Sequence, residues 1–203
     1  VLHCILIPRP HGGYPSAMRP TREATLMAIA TVIAARGTCD RKQVGAVIAR
    51  EGRPISWGFN GAPPGLPHCS ENGHGWGEVD NQEGLATLRT MLHNWPEIAK
   101  LSDAELARMP WDWRGGVEYL AKLRGCRNAT HAEANALAFA ARQGISTDGA
   151  ELFVTVAPCA TCARLLIAAG IVRVYYQEAY RDGSGVELLR QAGIPTYDSD
   201  EAL

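Results

Sequence analysis

Two short stretches of the sequence contain the residue types from which a catalytic metal site is built. The first holds His131 and Glu133, two positions apart, and the second holds Cys159 and Cys162, three positions apart. One imidazole and two thiolates are zinc-type ligands, and three protein ligands leave the fourth tetrahedral position open for water. A carboxylate beside that water can accept its proton and pass it to a substrate nitrogen. The pattern therefore predicts zinc-dependent hydrolysis.

Both stretches open predicted helices. An alanine-rich run from Asn135 to Gln143 follows the first stretch, with Thr130 as its predicted cap, and an apolar run from Ala163 to Ala169 follows the second. In a first turn, His131 and Glu133 can both flank a point just beyond the helix end. Residues three apart share one helix face, so both thiols point the same way, and the helix dipole favours their thiolate form.

Each motif taken alone has a simpler explanation. Thr130 and Glu133 fit a capping box, in which the glutamate only stabilises the helix. A Cys-x-x-Cys pair is also typical of a redox site or of half a closed structural zinc site. A lone buried histidine is usually a packed core residue. The two motifs occur together, however, on either side of a β-rich run, and this favours the catalytic metal site.

The composition describes one globular domain of 203 residues, with 46% hydrophobic and 20% charged residues. A net charge of -1 provides no basic surface for nucleic acid, so we expect no nucleic-acid partner. No apolar run is long enough to span a membrane. Six cysteines without a recognisable signal peptide favour a reducing compartment and metal ligation over disulfides. We therefore expect a cytoplasmic protein.

Two segments differ from the rest in composition. Residues 1–17 are rich in proline and glycine and begin with Val1, so we expect an upstream extension or an expression scar, with translation starting at Met18. Residues 18–203 then form one catalytic domain. Within it, the stretch 72–125 holds four of the five tryptophans and predicts a helical insertion. That insertion would serve as a lid, an oligomer contact or a wall of the substrate site.

The order of predicted elements indicates an α/β fold. A helix, a β-hairpin, the helix–strand–helix unit of the metal motifs, a strand, a helix and a last strand follow one another along the chain. The predicted spans outside the metal helices are 21–36, 44–49, 54–59, 151–156, 172–176, 186–191 and 194–197. This order predicts a three-layer α/β/α sandwich on a mixed five-stranded sheet, with the N-termini of the two metal helices meeting under one face.

With these residues assembled, the chain resembles the cytidine deaminase superfamily, and within it the deoxycytidylate (dCMP) deaminases. The resemblance covers roughly 21–69 and 126–194. His131-Ala132-Glu133-Ala134-Asn135-Ala136 and Pro158-Cys159-Ala160-Thr161-Cys162 are similar to the zinc and proton-shuttle motifs of the superfamily. Less specific similarities to the dCMP branch are Gln43-Val44-Gly45-Ala46, Gly58-Phe59-Asn60-Gly61 with Pro63 and Gly65, and Gly170-Ile171.

The resemblance implies deamination of dCMP to dUMP, which supplies thymidylate synthesis. By matching position, His131, Cys159 and Cys162 would hold the catalytic Zn²⁺, and Glu133 would shuttle protons. Asn60 and Ala132 would contact the nucleotide. The resemblance also implies a homo-oligomer, either a hexamer or a trimer, which dCTP with Mg²⁺ activates and dTTP inhibits.

Several alternatives stay open on the sequence alone. Asn60 is also a common turn residue before glycine, and Arg41 and Lys42 are either a phosphate contact or a solvated pair of charges. The substrate is alternatively a 5-substituted dCMP, dCTP, a free nucleoside or a base within a nucleic acid. A non-catalytic zinc protein is disfavoured because a structural site has no use for a proton shuttle.

A second, structural Zn²⁺ is a further hypothesis. The best ligands for it are Cys69, His74 and Cys126, with His68 or His93 as the fourth. The competing interpretation is a set of scattered surface histidines and buried thiols.

Overall fold

The computed structural model describes residues 19–72, 100, 102, 128–180 and 182–199. The predicted extension 1–17 and nearly all of the predicted insertion 72–125, including its four tryptophans, lie outside these described residues. The division of the chain into an extension, a domain and an insertion therefore stays a prediction.

Five strands and five helices are found in the described part of the chain. The helices are α1 (Arg22–Ala34), α2 (Cys69–Asn72), α3 (Ala132–Arg142), α4 (Ala160–Ala168) and α5 (Ser184–Gln191). The strands are β1 (Gly45–Arg50), β2 (Arg53–Phe59), β3 (Glu151–Val156), β4 (Arg173–Glu178) and β5 (Thr196–Asp198).

The ends of these elements differ from the predicted ends where a local hydrogen bond intervenes. The α1 helix begins after Thr21, whose hydroxyl accepts the Ala24 N–H at 3.0 Å as an N-cap. Strand β1 begins after Val44, whose N–H donates to the Asn60 side chain. Strand β5 begins later than predicted because the Ile194 N–H donates to the Leu189 carbonyl and closes α5 instead.

The sheet has the order β2-β1-β3-β4-β5. Strands β1 and β2 form the predicted antiparallel hairpin, with a bulge between Ile48 and Ala49, and β1 also pairs antiparallel with β3. Strands β3, β4 and β5 are parallel. The predicted mixed five-stranded α/β fold is therefore confirmed.

Side chains from successive positions of β1 enter different cores, because strand residues alternate between the two faces. Ala46 and Ile48 pack with residues of α3, α4 and α5, whereas Val47 and Ala49 pack with α1. One helix layer therefore covers each face, and the three helices of the first layer include both metal-motif helices. Within the described residues, no helix combines the length and apolar character needed to cross a membrane.

Candidate active site

The candidate site lies where the N-termini of α3 and α4 meet. His131 is the N-cap of α3 and Cys159 is the N-cap of α4, and neither side chain caps its own helix. Both side chains therefore project beyond the helix ends. The structure corrects the predicted helix starts, since α3 begins at Ala132 rather than Asn135, and α4 begins at Ala160 rather than Ala163.

Thr130 is not the helix cap that the sequence predicts. Its backbone instead pairs with Gly61 through two hydrogen bonds, of 2.8 and 3.1 Å, which tie the start of α3 to the end of β2. With His131 at the N-cap, Glu133 stands one position too early to complete a capping box. The capping-box interpretation of Thr130 and Glu133 is therefore wrong.

The imidazole of His131 faces both thiols. Its Nδ1 atom lies 3.5 Å from Cys159 Sγ and 3.4 Å from Cys162 Sγ. The three donor atoms all lie within 4.8 Å of one another. A tetrahedral zinc with bonds of about 2.3 Å to sulfur and about 2.0 Å to nitrogen separates these atoms by roughly 3.5 Å. Both the donor types and their spacing fit Zn²⁺ with a fourth position open.

Glu133 is buried at the base of this cluster, with 4% of its surface exposed. Burial raises the pKa of its carboxyl to about 7. A hydrogen bond with Cys162 lowers the pKa of the Cys159 thiol to about 3, and the same bond raises the pKa of Cys162. A carboxyl group whose pKa is close to neutral can both accept and release a proton, as general acid–base catalysis requires.

A cavity of about 200 Å³ opens above these residues. The buried Glu133 and the half-buried His131 and Cys159 line its floor. Arg41 and Lys42, both exposed, line its mouth together with the partly exposed Tyr180. The cavity is smaller than the roughly 300–1,000 Å³ of typical ligand pockets, so it has room for only part of a small molecule.

Comparison with known proteins identifies the family. The family model for the cytidine and deoxycytidylate deaminase zinc-binding region matches residues 20–178. The chain belongs to this family. Its members are deaminases, which are hydrolases of C–N bonds, and the resemblance to the dCMP branch is thereby confirmed.

Relatives from several sources match most of the chain. The deoxycytidylate deaminase of Enterobacteria phage T4 is 33% identical over 180 residues, which cover 87% of this chain and 89% of that protein. The deoxycytidylate deaminase of Mycobacterium phage D29 is 34% identical over 158 residues, which cover 78% of this chain and 95% of that protein. The solved structure of cyanophage S-TIM5 dCMP deaminase in complex with dCMP and dUMP is 25% identical, with a TM-score of 0.58. That match covers 88% of this chain and 97% of the other.

Asn60 has a structural role in this deaminase that the sequence did not reveal. Its side-chain oxygen accepts the Val44 N–H at 2.7 Å, and its amide nitrogen donates to the Lys42 carbonyl at 2.7 Å. These bonds attach the loop before β1 to the end of β2. Asn60 also lines the cavity, as does Ala132, and each of its amide atoms retains one further hydrogen-bonding position. The predicted contact with a nucleotide stays a prediction.

The hypothesis of a second metal site in the deaminase is only partly covered by the structure. Cys69 is buried and His68 is exposed, whereas His74, His93 and Cys126 lie outside the described residues. Within residues 19–72, 128–180 and 182–199, the one group of three metal-ligating side chains within reach of a single ion is His131, Cys159 and Cys162. The second Zn²⁺ therefore stays a prediction.

Tyr180 lines the cavity of the deaminase and was missed by the sequence reasoning. It follows the carboxyl end of β4, which runs parallel to β3, the strand that leads into Cys159. Ligands of open α/β sheets bind outside the carboxyl ends of parallel strands. Applied to the strand predicted at 172–176, this rule would have identified Tyr180 as a candidate site residue.

Proposed function

We propose that the protein catalyses the hydrolytic deamination of dCMP to dUMP. The observation that carries the proposal is the His131, Cys159 and Cys162 cluster with the buried Glu133 beside it, on the floor of a cavity whose mouth bears two cations. Relatives named deoxycytidylate deaminase, from phages and from yeasts, match most of the chain at 29–34% identity.

His131, Cys159 and Cys162 would hold the Zn²⁺ of this family. When bound there, zinc acts as a Lewis acid that lowers the pKa of water. Glu133 accepts the proton of the attacking water as the oxygen bonds to C4 of the cytosine ring, and it delivers that proton to N3. Glu133 then carries the second proton to the amino group, which leaves as ammonia. The balance is dCMP and water to dUMP and ammonia.

Asn60 and Ala132 would position the nucleotide. Ala132 is fully buried in the first turn of α3, immediately after the ligand His131. Asn60 is anchored to two backbone groups, so its remaining hydrogen-bonding positions are held in a fixed direction. A rigid amide orients a substrate at little entropic cost.

The resemblance supports a wider proposal about assembly and regulation. We expect a homohexamer or trimer in the cytoplasm, activated by dCTP with Mg²⁺ and inhibited by dTTP. Sedimentation of the purified protein tests the oligomer. The second structural Zn²⁺ is tested by elemental analysis, because one zinc per chain, unchanged by Cys69→Ser, contradicts it.

The deciding experiment for the activity measures ammonia release from zinc-loaded protein. The substrates are dCMP, deoxycytidine, dCTP and 5-methyl-dCMP, each with and without dCTP and Mg²⁺. We expect turnover confined to the monophosphates and increased by dCTP. The absence of ammonia release from all four compounds, or a preference for deoxycytidine, contradicts the proposed substrate.

A further inference from the structure

An ion pair connects Lys42, which lines the cavity mouth, to the carboxyl end of β4. The ammonium of Lys42 lies 2.5 Å from the Glu178 carboxylate. Lys42 belongs to the loop before β1, and Glu178 is the last residue of β4. The two side chains are 53% and 59% exposed, so the pair stands in solvent, with Lys42 lining the cavity and Glu178 close in sequence to the lining residue Tyr180.

The backbone at both ends of this ion pair is held in place. The Lys42 carbonyl accepts a hydrogen bond from the Asn60 side chain at 2.7 Å. The Glu178 carbonyl accepts one from the Ala157 N–H at 2.8 Å, and Ala157 itself lines the cavity two positions before Cys159. The side chains of Lys42 and Glu178 can therefore exchange partners while both walls of the cavity keep their places.

The acidic and basic side chains that line the cavity differ in burial. The carboxyl group of Glu133 lies on the buried floor, whereas the exposed Arg41 and Lys42 line the mouth. If the proposed substrate binds with its reacting ring at the floor of this cavity of about 200 Å³, the base fills the cavity. The 5′ end of a nucleotide then extends towards the mouth and its cations. A phosphate there meets Lys42, whose long, flexible stem ends in a point charge suited to phosphate.

We infer that Lys42 selects substrates that carry a 5′-phosphate, and that Glu178 holds the Lys42 side chain until the phosphate replaces it. This inference rests on the proposed function and assigns part of its substrate specificity. An exposed ion pair contributes little to stability, so its loss opposes the exchange only weakly. A phosphate dianion bears more charge than the carboxylate and is the stronger partner for an ammonium group. A substrate phosphate can therefore displace the Glu178 carboxylate from Lys42.

The test compares two ligands that differ only in the phosphate, dUMP and deoxyuridine. Binding of each to zinc-loaded protein is measured by calorimetry for wild type, Lys42→Met and Glu178→Gln. The matched control is Arg142→Met, which removes an exposed cation at the far end of α3, about 16 Å along the helix from His131. The KM for dCMP is measured on the same four proteins.

The two variants break the same ion pair but are expected to act in opposite directions. Lys42→Met weakens dUMP binding about tenfold relative to deoxyuridine, because a charge-assisted contact is lost. Glu178→Gln strengthens dUMP binding about two- to threefold, because the competing carboxylate is gone. Arg142→Met leaves the affinity for both ligands unchanged. The KM for dCMP rises in the variant that binds dUMP more weakly and falls in the one that binds it more tightly.

A purely structural ion pair gives a different result. Both variants then weaken binding in the same direction, or affect dUMP and deoxyuridine equally, and either result overturns the inference. The proposed function is judged separately by wild-type turnover of dCMP. Its absence rejects that function, while the binding comparison still decides the role of Lys42.

Discussion

Helices α1 and α3 lie on opposite faces of the sheet and reach it in similar ways, yet of the two only α3 carries residues of the candidate active site. Each helix approaches a strand at a glycine: Gly45 of β1 for α1, and Gly58 of β2 for α3. A Cβ added at Gly45 would stand 2.1 Å from the Ala30 carbonyl oxygen, and one at Gly58 would stand 2.4 Å from the Ala136 nitrogen. Backbone-to-backbone contact therefore sets the position of both helices.

The side chains that the two helices bury are different. Helix α1 packs Leu26 and Met27 against Phe153, whereas α3 buries Ala132, Ala136 and Ala140 completely. Large side chains bury more apolar area, so α1 contributes more to the hydrophobic core per residue. Alanines on α3 leave the helix close to the sheet, with His131 and Glu133 at its N-terminus. The comparison indicates that α1 mainly stabilises the fold and that α3 mainly positions the chemistry.

The largest expected effect separates chemistry from stability on α3. Glu133→Gln preserves the shape of the side chain but removes its ability to accept a proton, so activity on dCMP falls by about 10²–10⁴-fold. Zinc content, measured by elemental analysis, stays at the wild-type level because the three proposed ligands are intact. Turnover close to that of wild type would contradict the role of Glu133 as proton shuttle.

On α1 we expect a substitution to lower stability and to leave turnover unchanged. Leu26→Ala removes a side chain that is 2% exposed and leaves a cavity between α1 and the sheet, so the free energy of unfolding falls by about 2–5 kcal/mol. Denaturant unfolding measures that loss. Turnover per folded molecule, measured well below the melting temperature, stays close to wild type. A large loss of turnover in the folded variant would show that α1 also positions the site.

The two glycines provide a matched pair with a smaller effect on stability. Gly45→Ala and Gly58→Ala each force a helix away from its strand, and each lowers the free energy of unfolding by about 1–3 kcal/mol. Only Gly58→Ala displaces the helix that begins beside His131, so we expect lower zinc occupancy and lower turnover per folded molecule in that variant. Equal losses of zinc in both variants would contradict the division between the two faces.

The core elements of the fold were predictable because their patterns are local. Strand β3 has the predicted span 151–156, and the hairpin of β1 and β2 was expected from two β-rich runs around the short turn at Glu51 and Gly52. The starts of α3 and α4 were less predictable. Each begins three residues earlier than its apolar pattern indicates, because the proposed ligands His131 and Cys159 themselves take the N-cap positions.

By itself, the sequence determined which donors are present and that each motif immediately precedes a helix-forming run. Only the tertiary structure decided that Nδ1 of His131 faces both thiols, because that depends on where two helices separated by β3 meet. It also decided the anchoring of Asn60 and the pairing of Lys42 with Glu178, which are 136 positions apart. Local spacing carries no information about such contacts, since they follow from the order of strands in the sheet.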